Sequence, residues 1–392
     1  MDYFENQSLL RSVHHYSPGE ITIPDSRVRL FNCEFRSEEG NGSVADIRKT
    51  GLPGASSDPG LLARTFTGNY SFTYPVFVPE GQGASRGAII LLHGLNERNW
   101  SKYLYWGRYL AETTGKTVML FPMAFHINRS PGQWSDPRLM QEIVKTRTSD
   151  IPRIESATVV NAALSTRLDY HPEWFCESGL QSCYDLIALT RMIRNGSHPR
   201  MSAGASVDFF AYSIGAFLLE VLLIANAEDL FAESRNFLFL GGSSFEQMHG
   251  ISRYIMDSRA FGRLEETYIR QDPKTIREAI RGDARETFNR LWSAFMAMLR
   301  LDRLQVLRER SFDRLRNQIS AVSLARDRII PPDSIIRTIR GAGNNRKIPV
   351  SVLDFPYPYS HENPFPAGND SIRTLVDQAF HKVFDPAARF LA

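Results

Sequence analysis

Val207-Asp208-Phe209-Phe210-Ala211-Tyr212-Ser213-Ile214-Gly215-Ala216-Phe217-Leu218-Leu219 is the stretch on which the rest of the chain is read. An apolar run that reads as a buried strand stops at a serine flanked by small residues, and an apolar helical run begins at once. A hydroxyl placed so stands on a tight strand-to-helix turn above the edge of a parallel sheet, as in a nucleophile elbow. Strand and helix pass closely at such a turn, so the positions two before and two after the serine must be small. Here they are Ala211 and Gly215. The reading predicts covalent chemistry at Ser213.

The bare pattern G-x-S-x-G points elsewhere. Gly83-Ala84-Ser85-Arg86-Gly87 matches it letter for letter, whereas the stretch around Ser213 has Ala211 at its first position. Ser85 lies in a Gly-rich polar segment before a strand, with no helix after it, and composition marks that segment as a linker. Context separates the two serines, because strand before and helix after occurs only at Ser213.

The remainder of the chain fits around that turn. Its 392 residues, 43% hydrophobic and 23% charged, suffice for one large α/β domain with an insertion. A formal charge of +3 calls for neither nucleic acid nor an anionic membrane as partner. Met1-Asp2-Tyr3-Phe4-Glu5-Asn6 has no basic and no apolar region of a secretory signal. The longest apolar helical run, Ile214 to Ala227, is too short for a membrane span and contains Glu220. A cytoplasmic protein acting on a small-molecule or acyl substrate is expected. Cys33, Cys176 and Cys183 form no metal-spaced pair. Cys176 and Cys183 are close enough in sequence to bridge, but free thiols in a reducing cytosol are the expectation.

Residues 1 to about 85 read as an irregular preamble, of which 1–64 is set apart as an N-terminal extension. Within it Arg27-Val28-Arg29-Leu30 alternates like a half-exposed strand, and Phe66 to Pro79 reads as one or two antiparallel strands. Ala88 to Leu92 and Thr117 to Phe121 are short continuous apolar runs, the mark of strands buried on both faces. Between them Trp100, Tyr103, Leu104, Gly107, Leu110 and Ala111 repeat at helical spacing, with Gly115 as a stop. A polar, Pro-bearing excursion occupies roughly 126 to 178, and a helix from about Leu180 to Arg194 ends at Asn195-Gly196. Further strands are predicted at Asn236 to Leu240, Ile319 to Leu324 and Lys347 to Phe355, and a helix bearing Ile372, Leu375, Val376, Phe380 and Val383 closes the chain. Alternating strands and helices imply an α/β protein with a mostly parallel, doubly wound sheet.

Residues 246 to 315 break that alternation. Phe288, Leu291, Trp292, Phe295, Met298 and Leu299 share one helical face. A helical block between two sheet strands reads as a cap inserted over the strand ends, leaving 65–245 and 316–392 as the core. From Arg253 to Arg316 the chain carries 15 basic and 10 acidic residues. That imbalance reads either as a solvated helical surface or as a lid that attracts anions.

A serine hydroxyl is a poor nucleophile near neutral pH and needs a general base held by a carboxylate. After such a turn the chain order is serine, acid, histidine. Two of the nine histidines, His361 and His381, lie beyond the later strands. His381 belongs to the C-terminal helix, whereas His361 follows the last strand by the loop Pro356-Tyr357-Pro358-Tyr359-Ser360 and is the expected base. The acid belongs just past the preceding strand, where Asp327 sits before Ile330-Pro331-Pro332. Asp333, Asp354 and Glu246 compete with it, and pairing of Asp327 with Arg326 or Arg328 is its structural alternative.

With these residues in place the chain resembles the α/β-hydrolase superfamily over roughly 65–245 and 316–392. The resemblance rests on His93-Gly94 after the first buried strand, Ala211-Tyr212-Ser213-Ile214-Gly215, Asp327 with Ile330-Pro331, and His361. It implies backbone N–H groups of Leu95 and Ile214 as the oxyanion hole, a structural role for His93, and an acyl-enzyme on Ser213. It implies no metal and no organic cofactor.

Arg98, Trp100, Tyr212 and His126 are the candidates for touching substrate, with Arg98 or Arg129 as a possible carboxylate clamp. Trp134, Trp292, Phe295 and Met298 either line an acyl pocket or belong to the core. Ester or thioester hydrolysis is the leading expectation. A peptidase or amidase on the same triad, and an inactive binding protein on the same fold, stay open.

Overall fold

The computed structural model describes residues 1–37, 66–81, 84–272, 274–275, 277, 286–341, 343–344 and 347–392. Residues 38–64 of the N-terminal extension and Gly83 of the letter-for-letter motif lie outside the described residues.

Among the described residues nine strands form one sheet: β1 (Gly19–Ile21), β2 (Val28–Arg36), β3 (Ser71–Pro79), β4 (Ser85–Leu92), β5 (Thr117–Phe121), β6 (Met201–Tyr212), β7 (Asn236–Phe239), β8 (Ile319–Leu324) and β9 (Val350–Leu353). Their order across the sheet is β1-β2-β3-β5-β4-β6-β7-β8-β9. The first three strands and the β3–β5 pair are antiparallel, and every pairing from β5 to β9 is parallel. The strands expected from continuous apolar runs therefore form the parallel core of the sheet. The described part of the N-terminal extension is not irregular. It supplies helix α1 (Tyr3–Val13), the edge strand β1 and its neighbour β2, which pairs with β3 over a nine-residue register from Val28↔Pro79 to Arg36↔Ser71. Ser85 opens β4, buried, its hydroxyl donating to the Gly87 carbonyl.

Side chains alternate between the two faces of the sheet. Ile89, Leu91, Phe210 and Tyr212 pack on one face against α1, α2 (Leu104–Thr114) and the C-terminal helix. Ile90, Leu92, Phe209 and Ala211 pack on the other, whose cover includes the helix that follows Ser213. The segment after β5 is more ordered than its polar composition suggested: it holds α3 (Pro137–Asp150), α4 (Ala162–Tyr170) and the first turns of α5 (Glu173–Asn195), which starts before the expected Leu180. The helix after Ser213 is α6 (Ile214–Ala225). Between β7 and β8 come α7 (Ser258–Glu265), α8 (Glu286–Leu299) and α9 (Gln305–Arg314), the helical cap insertion. The core closes with α10 (Pro332–Arg340) and α11 (Arg373–Leu391).

The two inserted segments meet. Arg147 on α3 donates to both carboxylate oxygens of Asp257, at 2.8 and 2.9 Å, and to Asp169 on α4 at 3.3 Å, all buried. Asp257 in turn caps the N-terminus of α7 by accepting from the Ala260 amide. The roof over the strand ends is thus built from both insertions, and α8 packs directly on α6. No helix among the described residues is long and apolar enough to cross a membrane.

Glu220 on α6 is wholly buried, and neither carboxylate oxygen has a hydrogen-bond partner among the described residues. Burial pushes this carboxyl well above its usual 4.5, with Arg308 pulling the other way. The native state then keeps a proton that the unfolded chain releases. The associated stability is complete below the unfolded value and falls as pH rises toward the native one, by about 1.4 kcal/mol per pH unit. Glu220→Gln is expected to flatten this decline in urea melts from about pH 5 to 8. A slope unchanged by the substitution would show that Glu220 contributes nothing to it.

Candidate active site

Ser213 sits between β6 and α6 with φ 57° and ψ −123°. A non-glycine residue held there costs about 1–3 kcal/mol and persists because its surroundings over-determine it. Those surroundings are visible at the two flanking small residues. A Cβ on Gly215 would lie 2.7 Å from the His93 carbonyl oxygen and 2.9 Å from Leu92, and Ala211 is wholly buried. Gly241, after β7, would place a Cβ 2.7 Å from the Ser213 carbonyl. Gly215→Ala is expected to destabilise the protein by about 1–3 kcal/mol, read from urea melts, because backbone and not a flexible side-chain tip must give way. Unchanged stability would mean that the turn tolerates more space than this packing allows.

The Ser213 hydroxyl donates to His361 Nε2 at 2.7 Å, and His361 Nδ1 donates to Asp327 Oδ2 at 2.7 Å. All three residues are buried, with 4–5% of their surface exposed. The other Asp327 oxygen accepts the amides of Ile329 and Ile330 at 2.9 and 3.0 Å, so the loop that follows β8 fixes the carboxylate. Tyr212 stacks near-parallel to the His361 ring and its hydroxyl donates to the His361 carbonyl. Each group is thus held by a second contact besides the one it makes within the chain of hydrogen bonds.

The competing residues are elsewhere. Asp354 is exposed and pairs with Arg326 and the Tyr359 hydroxyl, so Asp327 is not spent on that arginine. Glu246 accepts the Leu301 amide in the cap, and Asp333 stands exposed in the first turn of α10. His381 on α11 pairs with Asp385 and Tyr109. His93 is structural, as the resemblance implied: Nδ1 donates to the Gly94 carbonyl, Nε2 accepts the Met123 amide, and burial pushes the imidazole down to about 3.

Two spaces flank Ser213. The first is a polar mouth, lined by Ser213, His361, Tyr212, Arg98, Lys102 and Glu362 among others. The second is an apolar cavity of about 790 Å³ including its opening, lined by Met123, Phe175, Leu180, Phe217, Leu218 and Phe295 among others. Leu95 lines both, and Ile214 lines the cavity. The 94–98 loop, which lines the mouth and through Leu95 the cavity, is braced. The Gly94 amide donates to the Tyr103 hydroxyl, which donates to Glu97, and the Asn96 amide group reaches the carbonyls of Val160 and Tyr254 in the two insertions.

The substrate candidates divide. Arg98 lines the mouth while bracing the Val159 and Val160 carbonyls, and Tyr212 and His126 line the mouth and the cavity respectively. Trp100 is different: fully buried against His93 and Tyr103, it is a core residue in neither space. Arg129 is no substrate clamp either, since its buried guanidinium is taken up by Asp185 and the carbonyls of Asn69 and Pro122. Of the cap candidates, Phe295 lines the cavity, whereas Trp292 and Met298 belong to the core without reaching that cavity. Cys176 and Cys183 are free thiols in the cavity wall. Sequence reasoning passed over Arg167, a buried arginine in that wall, because it lies in a segment whose helix was not foreseen.

A mostly parallel sheet under a helical cap, with a buried serine–histidine–aspartate chain at the turn after β6, defines a serine hydrolase of the α/β-hydrolase fold. The model of a family of unknown function, DUF6051, matches residues 30–392, and the chain belongs to that family. No curated protein matches the sequence. Among solved structures the chain is similar to a cold-adapted esterase from an Arctic intertidal metagenomic library (10% identity, 97% of this chain and 100% of that one, TM-score 0.40). It is also similar to a thermostable esterase from Pseudomonas putida ECU1011 (9% identity, 98% and 85% covered, TM-score 0.42) and to carboxyl esterase 2 of the fungus Tuber melanosporum (10%, 82% and 81%, 0.41).

Proposed function

We propose that the protein hydrolyses carboxylic esters or thioesters through an acyl-enzyme on Ser213. As Oγ attacks the carbonyl carbon, His361 Nε2 takes its proton, and Asp327 holds the ring and stabilises the imidazolium. The oxyanion rests on the backbone N–H groups of Leu95 and Ile214. When the tetrahedral intermediate collapses, the bond to the alkoxide or thiolate breaks and His361 protonates that leaving group. Water then gives a proton to His361 and attacks the acyl-enzyme. The second collapse returns the proton to Ser213 and releases the carboxylic acid. One ester and one water become one acid and one alcohol or thiol.

The observation that carries this reading is the position of the Ser213–His361–Asp327 chain, at a polar mouth whose neighbour is an apolar cavity. The acyl group fits the apolar side and the leaving group the wet side. Neither the Leu95 nor the Ile214 amide donates a hydrogen bond to a described residue, which supports their availability to an oxyanion. Residues 65–245 and 316–392 serve as the hydrolase core and 246–315 as the cap, with α3 and α4 completing the acyl side.

The test is a series of 4-nitrophenyl acyl esters and the matching aminoacyl anilides. Turnover of esters with a kcat/KM that rises with acyl length, and negligible turnover of anilides, is the expected result. Anilides cleaved as fast as esters would make the protein an amidase.

A further inference from the structure

The apolar cavity contains one charge. Among the described residues lining it, Arg167 on α4 is the only charged side chain, and it is 94% buried by virtue of its 6% exposure. A buried arginine is ordinarily paired, as Arg129 and Arg147 are in this chain. Arg167 is not. Its guanidinium makes no ion pair and no hydrogen bond to any described residue, and its Nε is enclosed without a partner. Its guanidinium carbon lies over the indole of Trp134, 3.9 Å from the ring centroid, with Phe125 at 5.9 Å. The nearby carboxylate Asp169 is committed to Arg147 and Arg259, and Glu97 to Lys102 and Tyr103. Burial alone lowers the guanidinium to about 9, with no acid to hold it up.

The cation–π contact with Trp134 leaves the N–H fork of the guanidinium unused, and an unmet buried charge is costly. The other polar groups of the wall do not meet that need. Ser178 and Ser182 donate to the Ala124 and Ser178 carbonyls. His126 donates Nδ1–H to the Ala124 carbonyl, so its partnerless Nε2 presents a lone pair and not a charge. A planar fork of donors in an apolar chamber matches a carboxylate, which accepts two parallel N–H bonds.

We propose that Arg167 is the seat of a free carboxylate on the acyl half of the substrate, so that the protein cleaves half-esters or half-thioesters of dicarboxylic acids. The scissile carbonyl stands at Ser213, the methylene chain fills the apolar cavity, and the far carboxylate lies on the Arg167 guanidinium. The proposal rests on the hydrolase reading above and adds to it the polarity of the acyl tail.

The experiment compares 4-methylumbelliferyl monoesters of dicarboxylic acids, from adipate to sebacate, with the fatty acyl esters of equal chain length. A site built around a buried charge rejects the analogue that leaves it unpaired, so at one chain length or more kcat/KM is expected to favour the carboxylate ester by about 10²-fold or more. Arg167→Met is expected to bring that ratio to about one, and Arg167→Lys, which keeps charge but not the fork, to restore part of it. A wild-type ratio at or below one at every length overturns the proposal, as does a ratio that Arg167→Met leaves unchanged. Calorimetric binding of free suberate, against octanoate, to Ser213→Ala reads the seat without turnover and without a substitution at Arg167. Should neither ester series be hydrolysed, the hydrolase reading fails on its own, and suberate binding alone decides: preference for suberate upholds the carboxylate seat, and its absence overturns it.

Discussion

Ser213→Ala is expected to lower turnover of the best ester about 10⁶-fold, with the melting transition little changed. The loss is large because nucleophile and base act as one unit. His361 Nε2 lies 2.7 Å from the hydroxyl and contacts no other donor among the described residues, so without Oγ the imidazole has no nucleophile of the protein to activate. His361→Ala is expected to cost nearly as much, and the double variant little more than either, since removing a second member of a broken unit loses nothing further. Stability holds because the strain at φ 57° belongs to the backbone and is imposed by Gly215, Gly241 and the strands around them. Steady-state assays with a tightly purified variant check this. Effects of the two substitutions that multiply would mean that the two side chains act in separate steps.

The second large effect is expected at Asp327. Asp327→Asn keeps the shape of the side chain and is expected to lower kcat about 10⁴-fold. The reason lies in donors and acceptors. The carboxylate accepts the Ile329 and Ile330 amides on Oδ1 and His361 Nδ1–H on Oδ2. An asparagine that keeps its oxygen on the two amides turns its NH₂ toward Nδ1. The imidazole then prefers the tautomer with its proton on Nε2, and that nitrogen no longer accepts from Ser213. The fold remains, because the two loop amides stay satisfied. A drop confined to KM would contradict this account, since it would place Asp327 in binding and not in the proton path.

The site was legible because its signals are local. A continuous apolar strand, a serine between small residues and an apolar helix occupy consecutive positions. The histidine and the aspartate follow strands short enough to recognise by composition. Competing acids could be set aside from the sequence only in part. What separates Asp354 from Asp327 is which strand-end loop turns inward, and that depends on sheet order, a non-local property.

The misses share a cause as well. Helix α4 is buried on nearly every side, so no apolar stripe sets it apart from the polar segments around it. With α4 unseen, the cap was traced to 246–315 alone, and Arg167 had no place in the reading. Trp100 carried two conflicting signals: helical spacing with Tyr103 and Leu104 pointed to the core, and closeness to His93-Gly94 pointed to substrate. Packing against His93 decides for the core, so periodicity was the better guide. In the N-terminal extension, α1 is fixed by contacts far along the chain. Asp2 caps it and pairs with Arg373, and Tyr3 is buried among Tyr105, Phe365 and Phe380. None of those partners is near it in sequence.

The two spaces beside Ser213 give the fold its chemical direction. A braced loop from Gly94 to Arg98 lines the mouth and, through Leu95, the cavity, and it is tied to both insertions through Asn96. The cavity is walled by residues of α4, α5, α6 and α8, whereas the mouth is set by the loops around Lys102, Tyr254 and Glu362, and the proposed hydrolysis assigns the acyl group to the first and the leaving group to the second. Changes in the cavity wall should alter which acid is released, and changes at the mouth which alcohol or thiol departs.

The most direct test of the central claim is labelling of the purified protein with a fluorophosphonate, followed by mass spectrometry of the adduct, with Ser213→Ala alongside. The account predicts a single adduct on Ser213 that is absent from the variant and slowed in Asp327→Asn. A folded protein that takes no label, or takes it on another residue, would contradict an activated nucleophile at this turn.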